Sequence, residues 1–196
     1  MRQITVIAYG ESMDTVLLKN TVLALLKSAP GLGNVQLRKG LIMTDALYHS
    51  FFNKTLTGIT YIKHWYGPVP DYEANNELYR MEFGDIKIIH EKVGNKMKEA
   101  HYAIVEPDFS VFPNKKALEI IRDVACFIRT NKAGKLSEIT HDTVYENTRM
   151  GGVIPIESVY SIEISANPWT KEEHNAAQTA IKELVESGFD LSPFYA

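Results

Sequence analysis

The chain has 196 residues, of which 45% are hydrophobic and 23% are charged, and this composition is typical of a globular protein. Its 21 basic and 24 acidic residues give a net charge of −3, which argues against a general nucleic-acid or membrane-surface binder. The sequence has no apolar run long enough to span a membrane, and the first ten residues are too short for a secretory leader. We therefore expect a soluble, cytoplasmic protein.

The first predicted elements are a short strand at residues 4–9 and a helix at residues 14–27. The helix is apolar over much of its circumference, so we expect it to be covered by the rest of the chain or by a partner. The glycine- and proline-rich residues 30–34 then end it. This break predicts that residues 1–34 form an N-terminal extension.

A second helix is predicted over residues 35–53, because Leu37, Leu41, Tyr48 and Phe52 follow helical spacing. Asp45 falls inside this apolar stripe. A carboxylate there is either hydrogen-bonded in the core or faces a cleft, and the first interpretation is favoured because buried polar groups are usually satisfied.

Residues 59–66 alternate aromatic or β-branched side chains with polar ones, which predicts a strand with one buried face. Gly67 and Pro68 are expected to end this strand, since glycine permits positive φ and proline lacks a backbone donor. Asp71 is then placed to cap a short helix that reaches about residue 81.

The remaining segments complete an α+β prediction: a helix-rich single domain with a small, mainly antiparallel sheet. The strand at 59–66 is expected to join two strands that flank a turn at Gly94 and Asn95. Thr170 opens a capping box. The further predicted elements are strands at 85–93 and 100–105, helices at 115–130, from 136 to about 145, and from 170 to 188, and a brief element near 157–162.

The sequence lacks the common catalytic motifs, namely the phosphate-binding loop, the dinucleotide fingerprint, the nucleophile elbow and the HExxH zinc helix. None of the six histidines lies three to five residues from another, so no local metal pair exists. The single cysteine, Cys126, lies in an apolar run and is expected to be a buried, inert thiol. We therefore expect no metal, no cofactor and no enzymatic activity.

Two stretches remain candidates for a functional site. The first is residues 65–70, where two large aromatics precede a rigid turn; they are either core aromatics or an anchor for a partner. The second is residues 136–142, which is either a solvated helix start or part of a site. The candidate partner-binding residues are Trp65, Tyr66, Gly67, Pro68, Val69, Pro70, Glu138 and His141.

The order of four motifs resembles the SocA-like Panacea domain, a family of bacteria and phages whose members commonly act as antitoxins. The motifs are Leu-Arg-Lys-Gly-Leu-Ile at 37–42, Thr-Gly-Ile-Thr-Tyr-Ile at 57–62, Tyr-Gly-Pro-Val-Pro at 66–70 and Leu-Ser-Glu-Ile-Thr-His-Asp at 136–142. The resemblance covers residues 35–155, so residues 156–196 are expected to form a helical extension packed on this core. The chain departs from the family pattern at residues 42–43 and 143–145.

The resemblance implies a non-enzymatic binding module that neutralises or sequesters a protein toxin, or presents it to a protease. It also implies that an adjacent gene encodes the toxin; a homodimer is left open. The alternative is an enzyme whose cleft collects Asp45, His64, Tyr66 and His141, which would be favoured if these side chains converged on one pocket. DNA binding is not expected, given the charge and the lack of a helix-turn-helix.

Overall fold

The computed structural model describes residues 12–141 and 143–156, which form a helix-rich α+β fold, as predicted. The predicted strand at 4–9, the element near 157–162 and the helix at 170–188 lie outside the described residues. The described elements are α1 (Thr15–Ser28), α2 (Asn34–Phe52), β1 (Tyr61–His64), β2 (Gly67–Pro70), α3 (Tyr72–Met81), β3 (Ile86–Val93), β4 (Lys96–Ala103), a 3-10 turn (Phe109–Val111), α4 (Lys115–Thr130), α5 (Ala133–Ile139) and α6 (Thr143–Asn147).

The hydrophobic core lies where α1, α2 and α4 pack against one another. α1 begins after Asp14, whose carboxylate accepts hydrogen bonds from the backbone N–H groups of Val16 and Leu17, both at 2.9 Å. Leu18 and all of residues 20–26 are buried, so the rest of the chain covers the apolar surface that the sequence predicted for this helix. No helix among the described residues is long and apolar enough to cross a membrane.

The prediction that Gly67 and Pro68 end a single strand is wrong, because the chain reverses two residues earlier. β1 ends at His64, Trp65 and Tyr66 form the turn, and β2 pairs antiparallel with β1 from His64 opposite Gly67 to Tyr61 opposite Pro70. Gly67 adopts a φ of 99°, in the region that favours glycine, and so begins the returning strand.

The two prolines of β2 have no backbone N–H to donate. They are tolerated because the β1 residues opposite them form backbone hydrogen bonds with the 151–154 segment, on the other side of β1. Pro68 faces Lys63, and Pro70 faces Tyr61. The Lys63 N–H donates to a carbonyl of the 151–154 segment at 2.8 Å, and both the Lys63 and Tyr61 carbonyls accept from N–H groups of that segment at 3.0 and 2.8 Å. The Tyr61 and Lys63 carbonyls, which lie opposite the prolines, therefore both have hydrogen-bond partners despite the missing proline donors.

β3 and β4 form a second hairpin around the predicted turn at Gly94 and Asn95, with Ile86 opposite Ala103. The expectation that they share one sheet with the 59–66 region is wrong, since the described strands form two separate two-stranded sheets. The 151–154 segment occupies the free edge of β1, as the bridge between Ile62 and Val153 shows, so that edge does not receive β3.

Local capping signals place the helices on either side of these hairpins. Asp71 accepts from the Ala74 N–H at the start of α3, and Asn114 accepts from the Ala117 N–H at the start of α4, both at 3.0 Å. The single helix predicted from residue 136 to about 145 is instead two helices, α5 and α6, separated near Thr140. The Thr140 hydroxyl donates back to the carbonyls of Leu136 and Ser137, which competes with continuation of the helix.

Candidate functional site

The tip of the β1–β2 hairpin carries two large aromatic side chains in solvent. Trp65 is 73% exposed and Tyr66 is 70% exposed. They occupy the two turn residues beyond the last strand pair, so neither side chain reaches the core. The interpretation of this stretch as core aromatics is therefore wrong for both residues.

A buried lysine on α2 forms a hydrogen bond to the backbone of β2. Lys39, on α2, is only 1% exposed, and its Nζ donates a 2.9 Å hydrogen bond to the Pro68 carbonyl. Burial lowers the pKa of Lys39 to about 7, and the neighbouring positive charge of Arg38 adds to this effect. The helix is thus tied to the hairpin through a side chain that carries only part of its usual charge near neutral pH.

Gly67 is the point where three elements meet. A Cβ added there would overlap Lys39 Nζ and would lie 2.8 Å from Thr140 Oγ1 and 3.2 Å from His141 Nε2. The hairpin, α2 and the end of α5 can approach so closely only because residue 67 has no side chain. The Nε2 atom of His141 is buried and has no hydrogen-bond partner among the described residues.

A second support comes from Tyr145 on α6. Its ring stacks on His141 with a centroid distance of 4.2 Å and an interplanar angle of 14°, and Lys63 Nζ lies 4.4 Å from the Tyr145 centroid. The Tyr145 hydroxyl donates to the His64 carbonyl at 2.5 Å. Burial raises the pKa of Tyr145, which keeps this hydroxyl protonated and able to donate. The end of β1 is thereby fixed just before the tip.

Asp45 does not share a cleft with the other three residues of the hypothetical enzyme site, His64, Tyr66 and His141. Asp45 is fully buried and accepts from the backbone N–H groups of Leu56 and Thr57, both at 2.9 Å, from the Thr57 hydroxyl, and from the Tyr61 hydroxyl at 2.7 Å. Burial raises the pKa of Asp45, and these hydrogen bonds oppose the rise. Tyr66, in contrast, is exposed. The interpretation of Asp45 as a satisfied core carboxyl is confirmed; it joins α2 to the segment that leads into β1.

A scan against protein-family models matches residues 37–146 to the family described as "Antitoxin SocA-like, Panacea domain". The match covers more than half of the chain. This chain belongs to the SocA-like Panacea family. Comparisons with curated proteins and with solved structures found no match. The matched range includes the whole β1–β2 hairpin of this Panacea domain together with Lys39, His141 and Tyr145.

The predicted site residues take different positions in the Panacea domain. Gly67, Pro68 and Pro70 are buried, Val69 and His141 are partly buried, and Glu138 is exposed. Gly67 and His141 come together, whereas Glu138 forms a surface ion pair with Lys135 at 3.2 Å. No group of three or more metal-binding side chains is found in the part of the chain that the structure describes. Cys126 is partly exposed rather than buried.

Neither Lys39 nor Tyr145 is predicted from the sequence to support the hairpin. Lys39 lies off the apolar stripe of α2 that Leu37 and Leu41 define, so its pattern is that of a solvated lysine. α2 is in fact buried on more than one face, and the partner of Lys39 is a backbone carbonyl 29 residues later. The only local signal in the sequence was the pair of adjacent basic residues, Arg38 and Lys39, which interrupts the apolar residues of the 37–42 motif.

The buried Lys39 predicts a specific pH dependence of stability. Its pKa falls from 10.5 to about 7 on folding, so between these pH values the unfolded chain holds a proton that the folded chain lacks. The free energy of unfolding should therefore rise with pH across this window, by up to about 1.4 kcal/mol per pH unit, and the contribution should level off below pH 7.

Urea unfolding at several pH values measures this contribution as the difference between wild type and Lys39→Met. The difference should grow in favour of wild type from neutral to alkaline pH. Lys135, which forms the surface ion pair with Glu138, supplies the control, because Lys135→Met should leave the pH dependence of the free energy of unfolding unchanged. If the free energy of unfolding changed equally with pH in wild type and Lys39→Met, folding would not lower the pKa of Lys39 and the prediction would be wrong.

Proposed function

We propose that this Panacea domain is an antitoxin that binds and neutralises a protein toxin through the tip of the β1–β2 hairpin. The observation that carries the proposal is the exposure of Trp65 and Tyr66, the two adjacent turn residues of a hairpin with supports on both strands. Tryptophan and tyrosine are the residues most enriched among those that dominate binding energy at protein interfaces. Membership of an antitoxin family supplies the class of partner.

The rigidity of the hairpin supports a binding role for its tip. Lys39 holds β2, Tyr145 holds the end of β1, and the 151–154 segment bonds the outer edge of β1. A backbone fixed before binding has little conformational entropy left to lose, so more of the contact energy is retained as affinity. Trp65 and Tyr66 would act as anchors on this support.

The other candidate residues have supporting roles in this proposal. Gly67, Pro68 and Pro70 set the backbone of β2, and His141 packs beneath Gly67. Val69 is partly buried, and Glu138 is a charged group at the exposed side of α5. We infer that Glu138 contributes to the polar rim of the interface, where a charge affects association rate more than affinity.

The partner is proposed to be a toxin encoded by an adjacent gene and met in the cytoplasm. Co-expression of the chain with the product of the adjacent open reading frame tests this. A stable complex and restored growth are expected from wild type, and both should be lost when Trp65 and Tyr66 are changed to alanine together. Phe109→Ala, which truncates another aromatic that is 54% exposed, provides the matched control.

The same system distinguishes two modes of neutralisation. If the chain sequesters the toxin, the toxin should persist as a complex. If the chain presents the toxin to a protease, the toxin half-life should shorten only while the chain is present and the protease is active. Failure to form a complex with the adjacent product, or full neutralisation by the double variant, would contradict the proposal.

A further inference from the structure

The outer edge of β3 is open. Among the described residues β3 pairs with β4 alone, in a two-stranded sheet, and no described helix packs extensively against it. The register runs without a bulge from Ile86 opposite Ala103 to Val93 opposite Lys96, and β3 contains no proline. Bulges and prolines are two of the features that prevent edge strands from pairing, so β3 can accept a further strand.

The backbone groups of β3 point alternately to β4 and to the open edge. On β4, His101 donates its N–H to the Leu32 carbonyl at 2.9 Å and accepts from the Gly31 N–H at 3.0 Å, so its backbone groups point away from β3. Ile88 lies opposite His101, and opposite residues of an antiparallel ladder either bond to each other or both point away. The N–H and C=O groups of Ile88 therefore face the open edge, and no described residue bonds to them there. Because the alternation has a period of two, the residues with outward backbone groups are Ile86, Ile88, His90 and Lys92.

The side chains of β3 carry a charge pattern that complements itself when the strand is reversed. Lys87, Ile89 and Glu91 lie on one face of the strand, because side chains alternate between faces. Lys87 is exposed and forms no ion pair with another described residue, and Ile89 is 39% exposed. The Glu91 carboxylate is held on this face by a 3.1 Å hydrogen bond from the Tyr102 hydroxyl. Reversing the strand about Ile89 exchanges the positions of Lys87 and Glu91.

We propose that β3 pairs antiparallel with β3 of a second copy of this chain, about a two-fold axis at Ile89. Lys87 of each copy then lies opposite Glu91 of the other, and the two Ile89 side chains face each other. Opposite charges and apolar pairs at directly facing positions both stabilise a sheet. β3 belongs to the second hairpin rather than to the β1–β2 hairpin, so the inference goes beyond the proposed function and does not depend on it.

The same register pairs the outward backbone groups. It places Ile88 opposite His90 of the other copy, and both residues direct their backbone groups to the open edge, so they bond to each other. Pairing about Ile88 or about His90 would keep such bonds, but it would put Lys87 or Glu91 opposite Ile89 and separate the opposite charges. Charge complementarity therefore selects the register centred on Ile89. Lysines on an edge strand also oppose pairing with strands that offer no carboxylate, which favours a second copy over other occupants.

The dimer should be weak, because a contact confined to two strand edges is smaller than the roughly 1,200 Å² at which standard interfaces begin. Sedimentation equilibrium of the full chain between about 10 μM and 1 mM should show a reversible monomer–dimer equilibrium. Lys87→Glu replaces both attractive pairs with repulsive ones and should weaken dimerisation about tenfold or more. Adding Glu91→Lys to this variant restores opposite charges and should recover wild-type dimerisation to within about threefold. Lys135→Glu makes the same charge change on α5 and should leave dimerisation unchanged.

Cysteine cross-linking tests the register in a Cys126→Ser background. Facing residues that do not bond to each other in an antiparallel pair have Cα atoms about 4.5 Å apart, within the roughly 4.4–6.8 Å that a disulfide spans. Ile89→Cys should therefore form an intermolecular disulfide about tenfold faster than His90→Cys, whose counterpart lies diagonally across the pair. Met97→Cys is the control for random collision, because Met97 is 64% exposed but lies on β4.

Amide hydrogen exchange distinguishes a second copy from another occupant of the edge. The N–H groups of Ile88 and His90 should gain protection as the protein concentration rises, whereas the Ile89 N–H, which points to β4, should be protected throughout. Protection of Ile88 and His90 in a monomer would mean that another segment of the same chain covers the edge, and would overturn the proposal.

Three further outcomes would also overturn it. The first is a chain that stays monomeric at about 1 mM. The second is cross-linking that is equal at the three cysteine positions or fastest at His90→Cys. The third is a charge-swapped variant that melts like wild type and dimerises no better than Lys87→Glu alone.

Discussion

Truncating either aromatic side chain at the hairpin tip should weaken binding of the proposed toxin partner about 30-fold. Central aromatic anchors typically cost about 2 kcal/mol or more when cut to alanine, and each factor of ten in affinity corresponds to about 1.4 kcal/mol. Trp65→Ala and Tyr66→Ala should each show this loss in isothermal titration with the purified toxin. The double variant should lose up to about 1,000-fold if the two effects are independent.

The same variants should keep the melting temperature of wild type, because Trp65 is 73% and Tyr66 is 70% exposed. A buried aromatic cut to alanine would instead destabilise the fold by about 3–5 kcal/mol. Measuring stability and affinity on one preparation therefore separates an anchor from a structural residue. Unchanged affinity in both single variants would assign toxin binding to another surface.

Changing Gly67 to alanine should destabilise the protein by about 4 kcal/mol. Strain from a non-glycine residue at positive φ contributes about 1–3 kcal/mol, and forcing an extra carbon into a packed site contributes about another 1–3 kcal/mol. Gly67 has a φ of 99°, and its new Cβ would overlap Lys39 Nζ. The variant should also weaken toxin binding, because the strand that begins at residue 67 sets the position of the tip.

Gly94→Ala is the control that isolates the packing contribution. Gly94 also has a positive φ, of 61°, but an added Cβ there would meet no described atom within 4 Å. Urea unfolding should show a loss of only about 1 kcal/mol for Gly94→Ala, from backbone strain alone. Equal losses for the two variants would mean that Lys39, Thr140 and His141 can move away from residue 67 at little cost.

Much of the helical framework could be predicted because its signals are local. Asp71 and Asn114 mark the starts of α3 and α4, and each lies within a few residues of the backbone N–H that it caps. The apolar residues of α4 repeat at helical spacing along one face. The β1–β2 hairpin could not be predicted in the same way. Glycine and proline rules correctly identify a break, but the backbone partners that make two prolines acceptable in β2 lie at residues 151–154.

The candidate site shows the same division between local and long-range information. The composition of residues 65–70 was sufficient to single out Trp65 and Tyr66, yet exposure depends on where the chain reverses. Asp45 was predicted correctly because a carboxyl inside an apolar stripe has few alternatives. The role of Lys39 could not be foreseen, since its partner is a main-chain carbonyl that carries no side-chain signal.

The attachment of β1 to residues 151–154 has a consequence for synthesis of the chain on the ribosome. Lys39 is translated well before the hairpin, but Tyr145 and the 151–154 segment are translated long after it. The tip can therefore reach its final position only after about ninety further residues beyond Tyr61 have emerged, a long-range closure of the kind that slows folding. A nascent chain that stalls before residue 151 would hold Trp65 and Tyr66 on a hairpin that lacks the 151–154 segment along the outer edge of β1. If the tip binds a toxin, as proposed, protection of the cell would depend on how fast this late segment is completed relative to release of the toxin.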